Sequence, residues 1–211
     1  MLNQIIHYFQ INAASYWQAV WQHISISLEA LLISVLLGLA LAYLAYQHPR
    51  MQKWITSFSQ GLRVLPSLGV LFILIPFLGV GHFPALLALI FLGLAPVLIN
   101  TVLGLNQVPA SLVETAQAMG MTPRQLTVKL SLPLALPYIL TGVKLALVEI
   151  IASATLATYI GAGGLGSLIF TGLGLYRYDL LVIGGASVAL LSLLSMLMLD
   201  LLIRWSRRYA A

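Results

Sequence analysis

Charge is what this sequence has least of. Of its 211 residues, 10 are Lys or Arg and 5 are Asp or Glu, 7% in all, against roughly 25% in a soluble globular domain. A chain so poor in charge and 61% hydrophobic cannot cover itself with a water-compatible surface, which excludes an ordinary soluble enzyme or binding module. Cysteine is absent altogether, so disulfides and thiolate metal sites are excluded. Histidine is sparse, and His7, His23, His48 and His82 stand far apart near the ends of apolar runs, as polar surface rather than a metal site. No Gly-x-x-x-x-Gly-Lys-Ser/Thr run occurs, so the chain does not bind ATP by a phosphate loop. Residues 1–22 lack the basic start and small-residue cleavage site of a signal peptide and are expected to remain as an N-terminal segment outside the membrane.

What the chain does have is long apolar runs. A helix needs roughly 20 apolar residues to cross about 30 Å of hydrocarbon. Five stretches qualify: His23 to Tyr46, Leu62 to Val80, Pro84 to Leu105, Leu134 to Thr158 and Leu180 to Trp205. The expected architecture is an all-α integral membrane protein of five transmembrane helices, one membrane domain over residues 23–205. The net charge of +5 reports topology, not nucleic acid. Arg50, Lys53 and Arg63 flank the first interhelical loop, Arg124 and Lys129 lie in the third, and Arg204, Arg207 and Arg208 end the chain, so that residues 206–211 form a basic tail. With five spans these regions share one side. The other side holds the N-terminal segment, the turn at Gly81 and His82, and Arg177 before Asp179. The positive-inside bias puts the N-terminus outside and the C-terminus in the cytoplasm. Trp17, Trp21, Trp54 and Trp205 fall near span ends, at the headgroup level such rings favour.

Pro66 and Pro76 in the second span and Pro96 in the third each remove a helix hydrogen bond and favour a kink or break, either for packing or to line a cavity. The segment from 106 to 133 is the most informative. Ser111 and Glu114 have capping-box spacing after Pro109, Leu112, Ala116 and Met119 recur at helical intervals, Gly120 stands at a helix end, and Thr122, Pro123 and Gln125 supply a second helix start. The pattern is a helix, a tight glycine turn and another helix. A DNA-binding helix-turn-helix is disfavoured by its tethering to spans at both ends and by its few basic residues. Two readings stay open on pattern alone, a loop lying on the membrane surface and a helix docked in a partner's groove.

The run Glu114, Thr115, Ala116, three residues, Gly120, nine residues, Leu130, Ser131, Leu132, Pro133 resembles the EAA loop of ABC importer permeases, whose pattern is Glu-Ala-Ala, three residues, Gly, nine residues, Ile, any residue, Leu-Pro. Thr115 and Leu130 depart from it mildly, keeping a small and an aliphatic side chain. The resemblance extends over roughly residues 62–166. Leu65-Pro66-Ser67, Leu94-Ala95-Pro96, Asn100-Thr101, Leu132 to Pro137 and Ala157 to Gly166 are similar to stretches of the quaternary-amine subfamily, which handles glycine betaine, carnitine and choline. The resemblance implies a permease that dimerises with an identical or related chain, pairs with two ATPase subunits carrying ATP and magnesium, and receives solute from an extracytoplasmic substrate-binding protein. It implies that Glu114, Thr115, Ala116, Gly120, Leu130, Leu132 and Pro133 couple the permease to the ATPase, so that this chain is a transport subunit without a cofactor of its own. An amino acid or another small solute is the alternative cargo. An ATP-independent secondary transporter or channel and a non-transporting scaffold are the alternative classes.

Gly161 to Gly166 also fits the Gly-x-Gly-x-x-Gly dinucleotide pattern, with Asp179 farther on, but it follows a membrane helix instead of a strand and is rejected as such. Gly161, Gly163, Gly164 and Gly166 are expected to turn the backbone or to pack closely at a dimer gate. Glu149 lies deep in the fourth span, where a charge costs about 2.5 to 3.5 kcal/mol on insertion scales and so should face a cavity or partner. It lines a path for a cationic headgroup or makes an interhelical bond, with Ser153 one turn on, and Pro66 and Pro96 as further path candidates. Lys144, five residues before Glu149 and so about 140° round the helix, is expected to snorkel. Glu29 is expected at the interface.

Overall fold

The computed structural model describes residues 2–62 and 64–210; Arg63 lies outside them, as do the side chains of Arg207 and Arg208. The described residues are helical almost throughout. Helix α1 (Leu2–Gln47) is followed by α2 (Pro49–Leu62), α3 (Ser67–Leu78) and α4 (His82–Asn106). The short α5 (Ala110–Ala118) and α6 (Pro123–Leu126) lead through a π-helical turn at Thr127–Ser131 into α7 (Leu132–Ala157), and α8 (Gly166–Gly174) and α9 (Tyr178–Ala210) complete the chain. Among the described residues, four helical segments, Leu2–Gln47, His82–Asn106, Pro123–Ile160 and Tyr178–Ser206, are long and apolar enough to cross a membrane.

The expected second span is corrected. It is not one helix: Pro66, with ψ of 135° and no N–H to donate, breaks the chain between α2 and α3 and stands at the start of α3 instead of inside a span. The apolar α3 has only 12 residues, about 18 Å of helix, too short to cross alone. Pro76 and Pro96, by contrast, lie inside α3 and α4 without ending them. Asn100 Nδ2 donates to the Pro96 carbonyl at 2.8 Å, one turn on.

Residues 2–22 are helical and continuous with the first expected span. The helix crosses residue 22 unbroken, and its one non-helical residue is Asn12. The segment packs on α9, with Tyr8 among Leu180 and Ile183 and Tyr16 Oη 2.8 Å from Ser187 Oγ. Helix α8 lies in a stretch for which no helix is expected from the sequence, and α9 continues through the expected tail to residue 210.

The bundle is organised around α4 and α7, flanked by α1. Ile26 and Ala30 of α1, Leu71 of α3, Ala88 and Leu89 of α4, and Ile150 and Ala154 of α7 form the main buried cluster. Small residues let these backbones approach closely, as membrane helices require when lipid is as apolar as the core. At Gly142 of α7, a Cβ would stand 2.9 Å from the Pro96 carbonyl of α4. The outer flank of α9 stays open, with Leu190, Leu193, Leu197 and Leu201 all more than half exposed. An apolar surface of this kind is stable against lipid and not against water. The 25 residues of α4, about 37 Å, separate two ends, one holding Gly81 and the glycine-rich turn, the other the α5–α6 hairpin.

Candidate functional site: a helical hairpin and a mid-bundle cavity

The hairpin is built from local signals. Helix α5 begins at Pro109, whose φ of −59° and ψ of 130° occupy the N-cap position. The expected Ser111–Glu114 capping box is therefore corrected: Ser111 sits within the first turn, and its carbonyl accepts from Thr115 Oγ1 at 2.8 Å. Helix α5 ends in a Schellman motif, with Gly120 N–H on the Gln117 carbonyl at 2.9 Å and Met121 N–H on the Ala116 carbonyl at 3.1 Å. Gly120 makes this possible with φ of 81°, a left-handed conformation that a Cβ disfavours. The second capping box forms as expected: Gln125 N–H donates to Thr122 Oγ1 at 3.3 Å, Thr122 N–H to Gln125 Oε1 at 2.9 Å, and Pro123 follows the cap.

The expected apolar stripe divides. Ala116 is buried inside the hairpin at 6% exposure, while Leu112 at 44% and Met119 at 75% face outward. Glu114, Thr115 and Gly120 are exposed, Leu130 is half-buried, and Leu132 and Pro133 are exposed where α7 begins. Of the residues matched to the loop pattern, Glu114, Thr115 and Gly120 thus share the open rim, Ala116 is its internal spacer, and Leu130 to Pro133 join it to the bundle. A cleft of about 720 Å³ separates the end of α1, at Tyr43 and Tyr46, and the following His48 from Gln117, Arg124 and Leu126 of the hairpin.

The second feature is a cavity of about 430 Å³ among α4, α7 and α9, lined among others by Phe91, Pro96, Lys144, Val148, Glu149 and Met196. It brings Pro96 and Glu149 together. Ser153 is not with them; it is buried at 2% exposure. Pro66 is not a lining residue either, although its neighbour Leu65 is. Lys144 does not snorkel: its ammonium donates to Asp200 Oδ1 of α9 at 2.6 Å. Two residues missed in the sequence are therefore Phe91 and Asp200. Asp200, a lone acid in an apolar run, was the available signal.

The glycine-rich turn packs on its own chain. Gly161, Gly163 and Gly164 have positive φ. Gly164 N–H donates to Gln22 Oε1 at 3.2 Å, and Thr158 Oγ1 donates to the Gly163 carbonyl at 2.6 Å. A Cβ on Gly161 would meet Gly81 at 3.5 Å, and one on Gly166 would overlap the Thr155 carbonyl and the Thr158 hydroxyl. His23, expected at a polar surface, is fully buried beneath this turn, with Nε2 3.1 Å from the Ile151 carbonyl. Glu29 is exposed and meets His82 Nε2 at 2.9 Å.

Comparison with known proteins agrees with this geometry. Residues 34–208 match the family described as binding-protein-dependent transport system inner membrane component. The chain is 40% identical to the carnitine transport permease protein OpuCB of Listeria monocytogenes, over 91% of this chain and 88% of that protein. It is 33% identical to the glycine betaine/carnitine/choline transport system permease protein OpuCB of Bacillus subtilis strain 168, over 92% and 89%. In fold it is similar to a chain of the MetNI methionine ABC transporter, with a TM-score of 0.81 at 23% identity over 90% of this chain and 95% of that one. The chain belongs to the binding-protein-dependent transport system inner membrane components: it is an integral, multi-pass permease subunit of an ABC importer, a class that works with an ATPase and a binding protein.

Proposed function

We propose that this chain is the permease through which an ATP-driven importer moves a quaternary-amine osmoprotectant of the carnitine, choline or glycine betaine type into the cell. The observation that carries the cargo is the 40% identity, over nearly the whole chain, to a permease named for carnitine transport. The hairpin faces the cytoplasm, the glycine-rich turn and residues 1–22 lie at the outer side, and the basic tail is cytoplasmic, as the positive-inside bias favours. The polypeptide crosses five times. The apolar α3, about 18 Å of helix, makes the second crossing together with residues 64–66 before it, while α2, with Arg50 and Lys53, stays at the cytoplasmic side; the break at Pro66 is tolerated because broken backbone in a membrane can line a cavity.

Two such permeases, identical or related, form the pathway, with Glu149 and Pro96 on its wall and Gly161 to Gly166 at its outer gate. Two ATPase subunits hold ATP and magnesium. Each takes the rim of Glu114, Thr115 and Gly120 into a groove, the apolar Leu112 and Met119 serving as anchors, while Leu130, Leu132 and Pro133 transmit the movement to α7. The test is uptake by cells that lack other osmoprotectant carriers and hold the whole importer. Labelled carnitine, choline or glycine betaine should accumulate, and accumulation should fall to background when the ATPase carries a hydrolysis-blocking substitution. Accumulation of an amino acid alone would replace the cargo, and uptake that persists without hydrolysis would replace the transporter class.

A further inference from the structure

The cavity among α4, α7 and α9 presents two ionisable side chains from one helix and treats them unequally. Lys144 is tied across to Asp200 at 2.6 Å, with side chains 19% and 33% exposed. Glu149, five residues and about 1.4 turns on, lines the cavity, is exposed, and has no hydrogen-bond or ion-pair partner among the described residues. Lys144 and Asp200 cancel, so among the described lining residues the charge left is the carboxylate of Glu149. Phe91, 45% exposed, lines the same cavity. A carboxylate and an aromatic ring lining one cavity are the chemistry that receives a methylated ammonium group, by charge attraction and by cation–π contact.

The geometry points to Asp200 as a positioning residue for charge selection. By holding Lys144 it keeps a free ammonium out of the cavity, so that Glu149 and Phe91 can accept the trimethylammonium head of the cargo. This inference rests on the quaternary-amine reading above. A structural role alone would make the Lys144–Asp200 pair a brace between α7 and α9, whose loss lowers abundance and touches all substrates equally. The selection role instead makes the damage of Asp200→Asn come from the released lysine, and damage of that origin is repaired by removing the lysine as well.

The experiment measures initial uptake rates of choline, carnitine and glycine betaine by the whole importer in cells, each normalised to permease abundance in the membrane. Asp200→Asn is expected to lower choline uptake about tenfold, and to lower that of the two zwitterions less, because their own carboxylates can accept from the freed Lys144. Asp200→Glu should restore most of the rate. The double variant Lys144→Met with Asp200→Asn should return to within about threefold of the parent, and Glu149→Gln should lower choline uptake about tenfold in either background. A double variant no faster than Asp200→Asn, a loss equal for choline and the zwitterions, or an unaffected Glu149→Gln would each overturn the inference. Should Asp200→Asn fail to reach the membrane, the double variant and Glu149→Gln decide it between them. If the parent importer takes up none of the three compounds, the quaternary-amine reading itself falls, before any substitution is made.

Discussion

Gly120→Trp is expected to leave the permease in the membrane at its normal level and to lower uptake at least about a hundredfold, the equivalent of losing about 3 kcal/mol at a docked surface. Two effects are superposed in that variant. The φ of 81° costs an L-residue about 1–2 kcal/mol, and a Cβ there has no described atom of this chain within 4 Å, so the side chain leaves toward the space assigned to the ATPase. Gly120→Asn separates them. Asn tolerates the left-handed conformation and is small, so it should keep the hairpin and retain most of the uptake. Rates measured per inserted molecule for both variants check this. A Trp variant that transports like the parent would remove Gly120 from the coupling surface.

Gly166→Ala is the opposite kind of change, in which space fails and not backbone conformation. The added Cβ would run into the Thr155 carbonyl and the Thr158 hydroxyl, both at the end of α7, and the carbonyl belongs to a helix that cannot yield without moving the turn. Overpacking at such a site costs about 1–3 kcal/mol, occasionally more, so the detergent-solubilised permease should unfold several degrees lower and accumulate poorly. Gly174→Ala, at the far end of α8, meets nothing within 4 Å and should behave like the parent in the same thermal assay. Equal stability of the two variants would contradict the close packing described for the turn.

Sequence and structure agree where the signal is local. Gly120, Thr122, Pro123 and Gln125 define the hairpin because each acts on backbone within five residues of itself, so their spacing alone foretells the Schellman turn and the second capping box. The same locality misleads at Ser111. Its spacing to Glu114 is right, but Pro109 takes the cap first through its fixed φ. Long apolar runs foretell four of the spans and misjudge the second, since hydropathy averages over Pro66 and cannot register that the helix inside this run begins only at Ser67 and has 12 residues.

What the sequence hides is pairing at a distance. The partner of Lys144 is 56 residues away in Asp200, and the glycine-rich turn is held by Gln22, 142 residues before Gly164. Neither separation leaves a pattern to count. Periodicity places Glu149 on a face of α7, but only the packing of α4 and α9 around it shows that the face lines a cavity with Phe91 and that Ser153 points into the core.

The absence of cysteine makes the central claim, that the α5–α6 hairpin seats in the ATPase, directly measurable. Met119 on the hairpin and Tyr176 at the other end of the bundle are 75% and 82% exposed, and a single cysteine at either would be the chain's one thiol. Each variant, labelled with a benzophenone maleimide in membranes holding the whole importer and then irradiated, reports what lies beside it. Met119→Cys should be captured by the ATPase subunit and Tyr176→Cys should not. Capture of the ATPase from Tyr176 and none from Met119 would contradict both the orientation and the docking surface.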